Sequence, residues 1–125
     1  MTPFQFLGAA LLLWALLSLG TAVVGLYARP NDRWRGFWFM SGLWGLIDGG
    51  IAWFGLVTEP PTTTELIFLL KVNSGLDVAY LVTGGVLLAV PKPVLKGFGS
   101  AILLQGLFLL ALDVALWRWC ERLIG

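Results

Sequence analysis

Histidine is absent from these 125 residues, and cysteine occurs once, at Cys120. A lone cysteine forms no intramolecular disulfide, and without histidine the usual ligand sets for zinc, copper or haem are missing. No metal site and no cofactor is therefore expected. Charge is scarce as well: Asp, Glu, Lys and Arg make up 12% of the residues and leave a net charge of +1. Nothing gathers into a basic run, so the electrostatic footprint of a nucleic-acid binder is lacking. No Walker loop, nucleophile elbow, HExxH or paired-cysteine motif occurs. These absences point away from an enzyme.

What the chain does contain is hydrocarbon. Hydrophobic residues make up 58% of it and its mean hydropathy is +0.88, which leaves too little polar surface for a water-soluble fold of this length. Four apolar segments stand out, at residues 4–27, 36–57, 65–90 and 97–123. Each reaches the ~20 residues that a helix needs to cross a ~30 Å hydrocarbon core. The first has no basic stretch ahead of it and is too long for a signal-peptide core, so it is expected to be a retained span. The prediction is a single all-α domain over residues 1–125, an integral membrane four-helix bundle. The connecting stretches ARPNDRWR, TEPPTTT and PKPVLK each contain proline, which interrupts helices, and their shortness makes neighbouring spans antiparallel.

Orientation follows from the basic residues. The first and third connections carry Arg29, Arg33, Arg35, Lys92 and Lys96, whereas the opposite side has only Arg118 and Arg122 near the C-terminal end. The positive-inside rule then puts the first and third loops in the cytoplasm and both termini outside.

Helical spacing sorts the faces. In the first span Gly8, Ala15, Ser18, Ala22 and Gly25 form a seam of small residues. In the second, Ser41, Gly45, Asp48, Ala52 and Gly55 fall within about 80° of arc. Asn73, Asp77, Tyr80 and Gly84 share a face about 60° wide in the third, and Gly99, Gly106 and Asp113 recur every seven residues in the fourth. Small-residue faces are where membrane helices pack, so the three aspartates are expected inside the bundle. Trp34, Trp38, Trp53, Trp117 and Trp119 lie near span ends and fit interfacial belts, whereas Trp14 and Trp44 are deeper, as packing or lipid-facing groups.

Depth sharpens the polar set. At 1.5 Å per residue, Asp48 lies roughly 18 Å from the inner end of its span and Asp77 roughly 18 Å from the outer end of its own, both near mid-membrane. Lys71 and Asp113 reach a similar level closer to the outer side, which permits an ion pair between them; otherwise Lys71 snorkels outward. Three ionised, unpaired aspartates in hydrocarbon would cost about 8 to 10 kcal/mol. Such residues instead hold a proton and donate a hydrogen bond, pair with Lys71, or meet a hydrated cavity, with Asn73, Gln105, Ser41 and Tyr80 as the available neutral partners. The candidate cluster is thus Asp77, Asn73, Tyr80, Asp48, Asp113, Lys71 and Gln105. The pairs Gly49-Gly50 and Gly84-Gly85 fit close packing or, alternatively, points of flexure.

Around FMSGLWGLIDGG, NSGLDVAYLVTGG and GSAILLQGLFLLALD the chain resembles a family of small four-span bacterial membrane proteins with no assigned activity. The resemblance implies the four-span fold and a bacterial cytoplasmic membrane. Two functions follow as expectations. One is a structural or accessory subunit of a homo-oligomer or larger membrane complex. The other is a proton- or cation-coupled carrier or channel for a small solute or ion, using the buried carboxylates. The bilayer is the expected partner in both.

Overall fold

A computed structural model describes residues 1–28 and 30–124. Arg29, counted above among the basic residues of the first connection, lies outside the described residues. Four helices account for nearly all the rest: α1 (Pro3–Tyr27), α2 (Asp32–Val57), α3 (Thr63–Ala89) and α4 (Pro93–Ile124). All four are long and apolar enough to cross a membrane.

Local chemistry sets where each helix begins. Thr2 caps α1 in a reciprocal box with Gln5, and Pro3 occupies the first helical position, where its missing N–H costs nothing. The Asn31 side chain accepts from the Trp34 N–H at 3.0 Å, so α2 starts at Asp32, four residues before the apolar run that announced it. Thr62 caps α3 in the same way through the Glu65 N–H. Pro93 opens α4, again ahead of the predicted Gly97. That early start places Lys96 on the helix, where its Nζ donates to the Leu88 carbonyl at 2.6 Å and ties α4 to the end of α3.

Packing follows the small-residue seams. α1 packs on α2, α2 on α4 and α4 on α3, with lighter contact between α1 and α4. The α1 seam is buried at Leu11, Ala15, Ser18 and Ala22 and the α2 seam at Ser41, Gly45, Asp48 and Ala52, two faces of matching spacing. Gly8 lies outside this contact, with nothing within 4 Å of where a Cβ would stand. α4 contributes the largest buried set and is the common neighbour of the other three.

Two crossings depend on glycine because backbone meets backbone. A Cβ on Gly97 would run into the Arg33 carbonyl of α2, and one on Gly36 into the Val94 carbonyl of α4. Gly84 and Gly99 face each other, each 2.9 Å or less from the partner's carbonyl oxygen once a Cβ is added. Gly84 therefore serves close packing, and Gly49 rests against Ala15, whereas Gly50 and Gly85 have open space around them. All of these lie inside continuous helices.

Candidate functional site

Asp48 of α2, Asp77 of α3 and Asp113 of α4 line one cavity of about 120 Å³. Their helices come together through the seams just described, so one aspartate per helix converges on the same level. All three are buried, Asp48 at 1% exposure. The Asp77 and Asp113 side chains lie within hydrogen-bonding reach of each other.

Asp48 has no such partner. Neither of its oxygens is hydrogen-bonded, and the same holds for Oδ2 of Asp77. Buried polar atoms are nearly always paired, and an orphaned carboxyl beside a cavity is where water or a ligand belongs. Several waters fit in this volume at roughly 30 Å³ of liquid each.

The walls are mixed. Leu7 and Leu11 of α1 and Leu109 of α4 close one side, while Trp44 meets Tyr80 edge to face with centroids 4.8 Å apart. Ile47 of α2 and Leu76 of α3 are exposed yet line the cavity, which puts its mouth between α2 and α3. Asn73 is at this mouth and exposed, rather than on the buried face that its spacing suggested. Tyr80 is half-buried, as a wall of the cavity.

Two candidates lie elsewhere. Lys71 does not pair with Asp113. Its Nζ lies 5.3 Å from the centre of the Trp117 ring, and the indole Nε1 of Trp117 donates to Glu121 at 2.6 Å. Among the described residues the only ion pair is Arg35 with Asp32, at the exposed start of α2. Lys71 faces outward because it points away from the Asp77 side of α3, and an aromatic face there offers a cation partial neutralisation.

Gln105 belongs to a second polar level. It lies eight residues before Asp113, about 12 Å down the α4 axis. Its Oε1 accepts from Trp14 Nε1 at 2.6 Å and its Nε2 donates to Ser18 Oγ at 3.4 Å. Ser41 lines the same region, with its hydroxyl oxygen buried and unpartnered. Heptad spacing of Gly99, Gly106 and Asp113 gives no hint of this split, but the two-turn offset of Gln105 from Asp113 does. Trp14 is thus a hydrogen-bonding and stacking residue, its ring 4.0 Å from that of Phe108.

Among the described residues no group of three His, Cys, Asp or Glu side chains is arranged to hold a metal ion, the three cavity aspartates included. The site is a carboxyl-lined pocket bounded by all four helices in an all-α chain of membrane-spanning dimensions. A family model covers residues 10–114, and the chain belongs to that family, one of unknown function (DUF6992). No curated protein and no solved structure matches it.

Proposed function

We propose that this is a multi-pass protein of a bacterial cytoplasmic membrane that binds and releases protons at Asp48, Asp77 and Asp113 and couples them to movement of a small solute. The observation that carries the reading is Asp48, a buried carboxyl with both oxygens unpartnered on the wall of a cavity shared with two more. Polar groups that serve only to fix helix register are hydrogen-bonded across the interface, as Gln105 is. Intramembrane carboxyls left open to a cavity are suited to taking up and passing on protons. Four helices enclose little volume, so the working unit is a homodimer or larger. Replacing Asp77 with Asn should abolish pH-gradient-driven uptake in proteoliposomes while leaving the oligomer intact. Unchanged flux, or no wild-type flux across a broad solute panel, would overturn the proposal.

The chain is oriented with its first and third connections in the cytoplasm, supported by the excess of Arg and Lys there. Cysteines introduced at Lys92 and Glu59 in a Cys120→Ala background should be labelled by an impermeant maleimide from the cytoplasmic and opposite sides respectively. The reverse pattern refutes that orientation.

A second reading, an accessory subunit of a membrane complex, is favoured by Gly20, Gly50, Gly75 and Gly85, which are exposed with free space beside them, where another helix can approach closely. Purification in mild detergent that always yields one free, monodisperse species counts against it.

A further inference from the structure

The carboxyl cavity does not end in a featureless wall. Leu7, Leu11 and Ile51, which close part of it, also line a second, larger space of about 350 Å³ between α1 and α2. That groove is bounded by apolar groups such as Phe4, Ala52 and Leu56. Side chains only one residue thick thus stand between an anionic pocket and a hydrocarbon-lined one.

Resting on the carrier reading above, we propose that the solute is a hydrophobic amine: its ammonium group sits at Asp48 beside the Asp77–Asp113 pair, and its hydrocarbon body lies in the groove beyond Leu7, Leu11 and Ile51. Charge selects the cation. α2, α3 and α4 each present a carboxyl to the cavity, α1 presents leucines, and the remaining ionisable wall residue is Tyr80. The basic side chain of α3, Lys71, is engaged with Trp117. Asp48 has two free acceptor oxygens, matching the donors of an ammonium group. Trp44 and Tyr80 also line the cavity, and aromatic rings attract alkylammonium ions. A bare metal ion fits poorly, since the three carboxyls are not arranged as a metal-holding group. A carboxylate or phosphate finds no cationic partner among the wall residues.

Coupling follows from conservation of charge. When R–NH₃⁺ enters, a protonated carboxyl passes its proton to water and the resulting carboxylate pairs with the ammonium; when the amine leaves, a proton returns. One proton is exchanged per cation, and the charge of the site is the same before and after.

Octylamine, octanol and octanoate provide a matched cationic, neutral and anionic series whose slender chains can thread between Leu7, Leu11 and Ile51. Titrated into the purified, detergent-solubilised protein, octylamine should bind and release one proton to a pH indicator. The alcohol and the acid should bind at least about thirtyfold more weakly, and Asp48→Asn should weaken amine binding by a similar factor. Ile51→Trp, at an exposed wall position, should block binding while the protein stays monodisperse, which separates loss of the site from loss of the fold. Equal binding of amine and alcohol would mean a plain hydrocarbon site and overturn the inference, as would amine binding that survives both variants. If no amine binds but Asp77-dependent, proton-driven flux of another solute is present, the inference fails and the carrier reading stands. If amine binds through Asp48 without any flux, the carrier reading fails and the amine site stands.

Discussion

The indole Nε1 of Trp14 on α1 donates to Oε1 of Gln105 on α4 at 2.6 Å, across 91 residues of sequence, while the same indole stacks on Phe108 one turn away. This contact joins the first helix to the last, where the two otherwise touch lightly. Interhelical hydrogen bonds in membrane bundles are worth about 0.6 to 1.7 kcal/mol, because the dissociated helices also find partners. Trp14→Phe keeps the stacking and loses the donor; Gln105→Leu loses the acceptor. Each should lower unfolding free energy by about 1 kcal/mol, and the double variant should cost little more than either alone. Strict additivity in that cycle, followed by thermal or steric-trap unfolding, rules out an energetic coupling.

Glycine supplies the sharpest contrast in packing. A Cβ on Gly97 runs into the Arg33 carbonyl of α2, so Ala there must push two helix backbones apart, whereas a Cβ on Gly85 meets nothing within 4 Å. Gly97→Ala should destabilise by about 1–3 kcal/mol. Gly85→Ala should be neutral or stabilising by about 0.5–1 kcal/mol, since Ala gives up less backbone freedom in a helix. Melting temperatures in one detergent compare them directly, and a larger loss at Gly85 than at Gly97 contradicts the α2–α4 crossing described above.

Asp48 should behave in the opposite sense to Gln105. An orphaned buried carboxyl weakens the bundle that holds it, and an apolar side chain of similar size relieves that cost. Asp48→Leu is therefore expected to unfold at the wild-type temperature or above while losing proton-driven flux. This pairing of retained stability with lost activity is the usual mark of a functional polar group. A stability loss as large as that of Gln105→Leu would make Asp48 a packing element.

Much of the architecture is written in one dimension. Length and hydropathy define the number of helices, and prolines with Asn31 and Thr62 caps mark their ends. The residues on the packed faces of α1 and α2 also follow from helical period alone, because a helix that has only one small-residue face has only one way to approach a neighbour closely. Gly8 and Asn73 break the pattern. Each shares a face with buried residues, but Gly8 sits where nothing from a neighbouring helix comes within 4 Å, and Asn73 lies at the cavity mouth, where α3 is not covered by α2. Period gives direction around a helix, not the length over which a partner covers it.

By itself the sequence determined that this chain is four long apolar helices and that each of the last three carries one aspartate on its packing side, since composition and a 3.6-residue period are properties of the chain alone. Only the tertiary structure decided that Asp48, Asp77 and Asp113 meet at one cavity, that Gln105 answers Trp14 two turns away, and that Lys71 turns to Trp117. Those pairings depend on how far each helix slides and tilts against the others, which is fixed where backbones touch at Gly36 and Gly97 and at Gly84 and Gly99.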